Sequence, residues 1–134
     1  MSAFYKLTNN DLDNYNNENN TYRKQIYTYI DATNDIVEIN LESIAFNKNN
    51  NIEQFIIICN NLPKNIFMGY KLLQSVLVDR NRLENERIFL NFRHGTEISK
   101  EVHTEIVIEI LDIHKNPLDI SSLFPEFNIH FYKK

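Results

Sequence analysis

The amino-acid sequence predicts an all-β protein, namely a single jelly-roll-like antiparallel β-sandwich preceded by a flexible N-terminal arm. Apolar and polar residues alternate over much of the chain after the first twenty residues, as in strands with one buried face. Asparagine-rich turns separate these stretches. The 134 residues suit one domain with one core. About six to eight strands, with at most one short helix, are expected to fill that length.

The arm is predicted over residues 1–20 and the sandwich over residues 21–134. Asn9–Asn20 contains almost no core-forming side chains, so burial cannot offset the entropy lost when this stretch becomes ordered. An arm that docks on a neighbouring subunit is the alternative interpretation.

The first clear strand is Asp35–Glu42, where apolar and polar residues alternate. Ile44 and Phe46 fall on the opposite phase, which predicts a bulge near Ser43. After an asparagine-rich turn, the apolar run in Ile52–Cys59 suits a strand that is covered on both faces. We expect the two strands to form one long hairpin.

The middle of the chain is less regular. Apolar residues in Ile66–Asp79 fit a helical stripe, whereas Leu73–Val78 alone fits a buried strand, so both interpretations stay open. The charged stretch Arg80–Glu86 is predicted to be an exposed connection. Arg87–Phe92 alternates weakly, and His94-Gly95 is predicted to be a turn.

Glu101–Asp112 is the strongest strand signal in the chain. Its isoleucines, Ile106, Ile108 and Ile110, fill one face, and its β-branched residues favour a pleated surface over a helix. A turn at residues 114–117 is expected to end this strand. Asn128–Tyr132 is predicted to form the last strand.

Composition excludes several classes of protein. The single cysteine excludes an intramolecular disulfide and a multi-cysteine zinc site. Only two glycines occur, which excludes glycine-rich phosphate loops. The net charge of −4 argues against nucleic acid as the main partner. Because no stretch resembles a signal peptide or a spanning helix, a soluble protein that is not secreted is predicted.

No catalytic constellation is recognisable, so we predict a protein that is not an enzyme and has no catalytic, cofactor-binding or metal site. Glu105 and Glu109 share a strand face, but about 13 Å separates them at strand spacing. Glycosidase carboxylate pairs lie about 5–9.5 Å apart, so a solvated face is the favoured interpretation. Cys59 ends an apolar run and is expected to fill the core, because a nucleophilic thiol needs an exposed, electropositive setting.

The four histidines are scattered along the chain and are expected at the surface or at strand ends. They are His94, His103, His114 and His130. A weak divalent-cation site that joins His103 to the acidic face of its strand is the alternative to that expectation.

The basic residues Arg80, Arg82 and Arg87 cluster near a predicted loop, where a solvated loop is the favoured interpretation. A weak nucleic-acid contact through the basic tail Lys133-Lys134 is the other interpretation that the charges allow. Asn19-Asn20-Thr21 matches a glycosylation acceptor and is expected to be inert without a signal peptide.

Several segments together form a pattern that resembles a known family. They are Phe55–Asn60, Lys71–Val76, Thr104–Asp112, Pro117-Leu118, Ile129–Lys134 and, more faintly, Val37–Ile44. The pattern is similar to the C-terminal part of the minor (penton) capsid proteins of virophages and of Maverick/Polinton-type viral elements. This chain looks shorter than typical members, as though a domain inserted between two hairpin strands were missing.

The resemblance implies a structural role in a viral shell. A single jelly roll of this kind would assemble as a homo-oligomer, a pentamer, at the vertices of an icosahedral capsid and would contact a major capsid protein. It would be found in the virion after assembly in the host cytoplasm or nucleus. No small-molecule substrate or catalytic residue is implied.

Two other functions are compatible with the sequence. The first is a small acidic binding module, such as an immunity or inhibitor protein that blocks a toxin, since the acidic balance suits a basic target. The second is a ligand-binding or enzymatic β-sandwich, which has the least support.

Overall fold

A computed structural model of the chain describes residues 2–9, 14–16, 21–63 and 71–134. The described strands are β1 (Ser2–Thr8), β2 (Asn14–Asn16), β3 (Thr21–Asp31), β4 (Val37–Asn47), β5 (Gln54–Cys59), β6 (Leu72–Leu77), β7 (Arg87–Asn91), β8 (Gly95–Glu97), β9 (Val102–Leu111) and β10 (Glu126–Lys133). The helical structure in these ranges is one 3-10 turn, Ser121–Leu123. The described residues therefore contain more strands than the six to eight expected. Two of the strands lie within the predicted arm, and one edge strand is interrupted and so counts as two.

The strands form two antiparallel sheets that face each other. The first sheet has the order β1-β10-β4-β7, with β8 also paired to β4, and the second has the order β2-β3-β9-β5-β6. Most hydrogen-bonded neighbours are distant in sequence, because the chain changes sheet after β1, β3, β4, β6, β8 and β9. This alternation is the strand order of a jelly roll, so the predicted fold class is confirmed.

The space between the sheets is filled by large side chains. The rings of Tyr22 and Phe127 meet edge to face with their centroids 5.2 Å apart, and those of Phe46 and Phe55 do so at 5.4 Å. Each contact joins one sheet to the other, and all four residues are at most 1% exposed. Edge-to-face aromatic pairs add to the stabilisation that burial of the rings already gives.

The predicted hairpin of β4 and β5 is wrong. β4 pairs with β10 and β7 in the first sheet, whereas β5 pairs with β9 and β6 in the second. Residues 48–53 cross from one sheet to the other, and the Lys48 ammonium donates to the carbonyl oxygens of Asp79 and Arg82 at 2.9 Å each. In the second sheet β5 is an interior strand, and its backbone pairs on one edge with β9 and on the other with β6.

The predicted flexible arm is wrong where the structure describes it. Residues Ser2–Thr8 form β1 and pair with β10 along their whole length. Tyr5 lies edge to face with Phe131, and Leu7 is fully buried, so alternate residues of β1 contribute to the core. β2 pairs with β3. Residues 10–13 and 17–20 of the predicted arm lie outside the described residues.

The predicted bulge near Ser43 is confirmed. Ser43 pairs with Asn128 and Leu41 with the next residue of β10, so Glu42 is an extra residue in β4. Opposite this bulge, the edge of the sheet is broken between β7 and β8, and the Phe92 N–H donates to the Glu42 carbonyl at 2.9 Å. Gly95 begins β8, so the turn predicted at His94-Gly95 is wrong. The segment interrupts an edge strand without reversing it, since β7 and β8 both run antiparallel to β4.

The remaining elements follow the sequence patterns closely. Leu72–Leu77 is a strand, which settles the open choice for that half of Ile66–Asp79, while residues 64–70 lie outside the described ranges. Arg80–Glu86 is an exposed connection, as predicted. β9 buries Ile106, Ile108 and Ile110 completely, also as predicted.

Candidate assembly surface

A pronounced bulge in β3 projects two tyrosines from the second sheet. Gln25 pairs with Glu105 and Ile30 pairs with His103, so four residues of β3 lie opposite a single residue of β9. The isoleucines at both ends of the bulge are buried, whereas Tyr27 is 81% and Tyr29 64% exposed. We call residues 27–29 the tyrosine bulge. Exposed tyrosines are enriched at protein–protein contacts because they combine apolar area with a polar hydroxyl.

Polar and apolar groups surround the tyrosine bulge. Val102, which pairs with Asp31 at the same end of the sheet, is also exposed. The side-chain hydroxyl and the backbone N–H of Thr33 both donate to the Asp31 carboxylate and hold the pKa of that carboxyl below its ordinary value. An aromatic centre with a polar rim is the usual composition of a contact surface between proteins.

A second exposed aromatic residue, Phe124, lies at one end of the first sheet. Its backbone has a φ of 48°, a left-handed conformation that is unfavourable for a bulky side chain. The Phe124 carbonyl accepts a hydrogen bond from Arg87 Nη1 at 2.7 Å, which holds this conformation. Phe124 and Arg87 line a depression of about 470 Å³ together with Lys6 and Pro125.

The outer face of the first sheet carries a network centred on His130. The imidazole stacks on Phe4 with ring centroids 4.0 Å apart, and His130 Nδ1 lies 3.3 Å from Glu42 Oε1. His130 Nε2 lies 3.0 Å from Ser2 Oγ. The histidine therefore connects β1, β10 and β4 and lies within a strand, not at its end.

Tyr132 and Glu38 form the other half of this face. The Tyr132 hydroxyl donates to Glu38 Oε2 at 2.6 Å, and Lys134 Nζ lies 3.1 Å from Glu38 Oε1. The tyrosine bond, and secondarily Lys134, hold the pKa of the Glu38 carboxyl below its ordinary value, and the same bond raises the pKa of Tyr132. Gly95 lies beneath the pair, where a Cβ atom would collide with the Tyr132 hydroxyl.

Replacement of Tyr132 by Phe is expected to raise the pKa of Glu38 towards its ordinary value of 4.5. A lowered pKa means that the Glu38 interactions stabilise the fold above the ordinary value and are lost as the pH falls through the folded value. The variant should therefore lose part of the stability that wild type has near neutral pH. NMR titration of the Glu38 carboxyl carbon measures the shift. Tyr29→Phe, on the other sheet, is the control, and an unchanged Glu38 titration in Tyr132→Phe would contradict the assigned cause.

His103 and Asn61 form a buried polar cluster beside β9. Asn61 Nδ2 donates to the Glu105 carbonyl and to His103 Nδ1, both at 2.9 Å, while Asn61 Oδ1 accepts from the Val107 N–H at 3.3 Å. Because the amide nitrogen can only donate, Nδ1 is the acceptor, and the proton of the neutral ring lies on Nε2, 2.9 Å from the Ser99 carbonyl oxygen. Both ring nitrogens of His103 thus have protein partners.

Cys59 is fully buried next to this cluster, which agrees with its predicted place in the core. Its Sγ lies 3.5 Å from Asn61 Oδ1, and burial raises the pKa of the thiol to about 12. A thiol in this setting is protonated at neutral pH and is a poor nucleophile.

The two glutamates on the outer face of β9 lie in different surroundings. Glu105 forms an ion pair with Arg23 at 2.7 Å, and Glu109 lies between Thr21 of β3 and Ile58 of β5 in the strand register. In the described part of the chain, no three His, Cys, Asp or Glu side chains converge as metal ligands would.

The basic residues singled out from the sequence are each paired with a carboxylate. Arg80 lies 3.5 Å from Glu53, Arg82 3.6 Å from Asp79, Arg87 4.0 Å from Glu126, Lys133 3.3 Å from Asp35 and Lys134 3.1 Å from Glu38. The structure does not bring them together as one basic patch. His94 lies in the link between β7 and β8, His114 lies in the turn after β9, and Asn19-Asn20 lies outside the described residues.

The tyrosine bulge was missed from the sequence, although a signal was present. The buried residues Tyr22, Ile26 and Ile30 are spaced by four, whereas a regular strand buries every second residue. Such a spacing indicates either a helix or an interrupted strand, and the tyrosines lie in the interval. No helix in the described ranges has the length and apolar character needed to cross a membrane.

Comparisons with known proteins give only distant likenesses. No protein-family model and no curated protein matches this sequence. Among solved structures, a mavirus penton protein is similar over 62% of this chain, with 13% identity and a TM-score of 0.42. This chain spans 36% of the length of that protein.

Two further solved structures are similar over nearly the whole chain. PirA has 13% identity over 99% of this chain and 93% of its own, with a TM-score of 0.30. A structure of the infectious bursal disease virus Gt strain has 9% identity over 97% of this chain and 36% of its own, with a TM-score of 0.37. The identities of these three solved structures to the chain are 9–13%.

Proposed function

We propose that this chain is a structural viral capsid protein, a minor or penton-type subunit that forms homo-oligomers and has no catalytic role. In this proposal the oligomer is a pentamer at the vertices of an icosahedral shell, beside a major capsid protein, and the protein is located in the virion. The tyrosine bulge on the jelly roll is the observation that carries the proposal.

The filled interior supports a function on the outside of the molecule. Ligand carriers and enzymes bind their ligands in clefts or cavities, such as the mouths of β-barrels. Here Tyr22, Phe46, Phe55, Phe127 and Phe131 occupy the space between the sheets. Function is therefore expected at outer surfaces, as in a protein whose role is to contact other subunits.

The tyrosine bulge supports assembly because it presents two large and mostly exposed rings. Tyr27 and Tyr29 lie where four residues of β3 face a single residue of β9, so the bulge carries them beyond the regular ladder. Bulges are over-represented at sheet edges and beside functional sites. Burial of two tyrosines in each of several equivalent contacts would stabilise a closed ring of subunits.

Most of the segments that carry the sequence resemblance lie in interior strands, whereas β6 is an edge strand of the second sheet. β5, β6, β9 and β10 contain the four strongest of these segments, and β9 and β10 are interior strands of their sheets. The resemblance therefore concerns the framework that would present the contact surfaces, and it supports a jelly-roll capsid subunit.

The oligomeric state of the purified chain tests the proposal. Native mass spectrometry and light scattering are expected to show a closed homo-oligomer that forms with rising concentration. The double variant Tyr27→Ser/Tyr29→Ser should be at least tenfold weaker in self-association, because buried aromatic anchors dominate such contacts. Leu83→Ser, which changes an exposed leucine in the Arg80–Glu86 connection, is the matched control. A strictly monomeric wild type at the highest soluble concentration contradicts the proposal.

A further inference from the structure

A shallow depression on the outer face of the first sheet contains a hydrogen-bond acceptor and a cation that have no partner among the described residues. It lies where the β4 bulge meets the break between β7 and β8 and has a volume of about 550 Å³. Asn40, Glu42, Asn91, Phe92 and Arg93 line it. The tyrosine bulge, in contrast, belongs to the second sheet.

Asn40 supplies a hydrogen-bond acceptor without a partner. Its Oδ1 atom is buried from solvent and accepts no hydrogen bond from the residues that the structure describes. Roughly 90% or more of buried polar groups in native proteins are paired, so each exception needs an explanation. Asn40 alternates with the buried Ile39 and Leu41 and hence lies on the half-exposed outer face, where a turn of its amide group presents Oδ1 to a ligand hydroxyl or N–H.

Arg93 supplies a cation that has no counter-ion among the residues that the structure describes. The described arginines Arg23, Arg80, Arg82 and Arg87 each have a carboxylate partner. Arg93 is exposed and takes part in none of these ion pairs. A guanidinium group binds carboxylates best, through two parallel hydrogen bonds, so this side chain suits an anionic group on a ligand.

Glu42 and Phe92 complete the depression. Glu42 Oε1 faces His130, which leaves the second carboxylate oxygen as an acceptor for a hydroxyl group. Phe92 is half-buried against the core and gives the depression an apolar floor. Its backbone N–H bond to the Glu42 carbonyl holds the two residues together. The Glu42 charge disfavours a doubly charged anion such as phosphate, whereas hydroxyl donors suit both Glu42 and Asn40.

We propose that this depression binds a saccharide that carries a carboxylate group. The carboxylate pairs with Arg93, ring hydroxyls donate to Asn40 Oδ1 and Glu42, and the apolar face of the sugar ring lies against Phe92. A uronic acid or a sialic acid has this combination of groups. The inference does not depend on capsid assembly, since it concerns a different sheet and a monomer can display it.

NMR titration of the isotopically labelled full chain tests the ligand class. Glucuronic acid and N-acetylneuraminic acid serve as probes, and glucose, acetate and inorganic phosphate serve as controls. We expect saturable shifts at the amides of residues 40–42 and 91–93 with at least one acidic sugar. Glucose, which lacks the carboxylate, and acetate, which lacks the hydroxyls, should bind at least about tenfold more weakly. Equal binding of acetate or phosphate, or no saturable shift with either acidic sugar, would overturn the proposal.

Two variants test the residues. Arg93→Gln and Asn40→Ala should each weaken acidic-sugar binding about tenfold. Arg80→Gln, which removes an exposed arginine elsewhere, should leave binding unchanged. Thermal unfolding adds a second readout: Asn40→Ala should not lower Tm, because Asn40 Oδ1 accepts no hydrogen bond from the described part of the chain. A lowered Tm in Asn40→Ala, or unchanged binding in Arg93→Gln, would overturn the assignment.

Discussion

Replacement of Phe127 by Ala is expected to lower the free energy of unfolding by about 3–5 kcal/mol. The Phe127 ring is fully buried and meets Tyr22 edge to face across the interior, so its removal leaves a cavity between the two sheets. The loss is a large part of the stability of a domain of this size, and a substantial unfolded population is expected in moderate denaturant. Urea-induced unfolding followed by circular dichroism measures the change.

Phe124, three positions earlier, is the matched control for Phe127. It is 64% exposed and has a positive φ, so Phe124→Gly relieves backbone strain and removes little buried area. We expect the free energy of unfolding to stay unchanged or to rise by up to about 1 kcal/mol. Comparable losses in both variants would show that burial of the Phe127 ring between the sheets does not stabilise the fold.

Replacement of Asn61 by Ala is the second change with a large expected effect. It removes four hydrogen bonds at once, leaving His103 Nδ1, the Glu105 carbonyl, the Val107 N–H and the Cys59 thiol without this partner. Each buried group left unpaired costs about 1–3 kcal/mol, and water that enters the space recovers part of that cost. We expect a loss of about 2–4 kcal/mol in the free energy of unfolding.

Hydrogen exchange of the Val107 amide gives a local measurement of the same change, since Asn61 Oδ1 accepts from that N–H. The control is Asn60→Ala, which alters the exposed neighbour in the same loop and should stay within about 0.5 kcal/mol of wild type. If Asn61→Ala were as stable as Asn60→Ala and kept the slow exchange of Val107, the bonds to Asn61 would not stabilise the fold.

The strands β9 and β10 could be predicted because the determining signal is local. Every second residue of each strand lies on the inner face and is buried against the opposite sheet. That burial requires an apolar residue at each of these positions. The bulge at Glu42 was predictable for the same reason, since a shift of phase in the apolar pattern is visible in the sequence.

Strand partners were harder to predict than strands. The asparagine-rich turn after β4 shows that the chain changes direction, but it does not show which sheet the next strand joins. Pairing of β5 with β9 is decided by contacts between residues far apart in sequence. The N-terminal strand was missed for a related reason. β1 has few apolar residues, and it forms a strand only because it pairs with β10 and packs these residues against the core.

The candidate sites were the least predictable part. Asn61 is one of many asparagines in loops, and its role arises from bonds to residues 44 and 46 positions away. Asn40 and Arg93 are brought together by the pairing of an edge strand with β4, and neither belongs to a motif. A sequence pattern reports which face of a strand is buried, whereas these sites depend on which strands become neighbours.

The break between β7 and β8 also affects how the protein behaves in a crowded solution. An uninterrupted edge strand exposes a row of free backbone amides and carbonyls on which strands of other molecules can polymerise. Here that edge is divided into pieces of five and three residues, which lowers its capacity to template such growth. The opposite edge, β1, is continuous over seven residues. Of the two edges of the first sheet, β1 is therefore the one on which such association is expected to start.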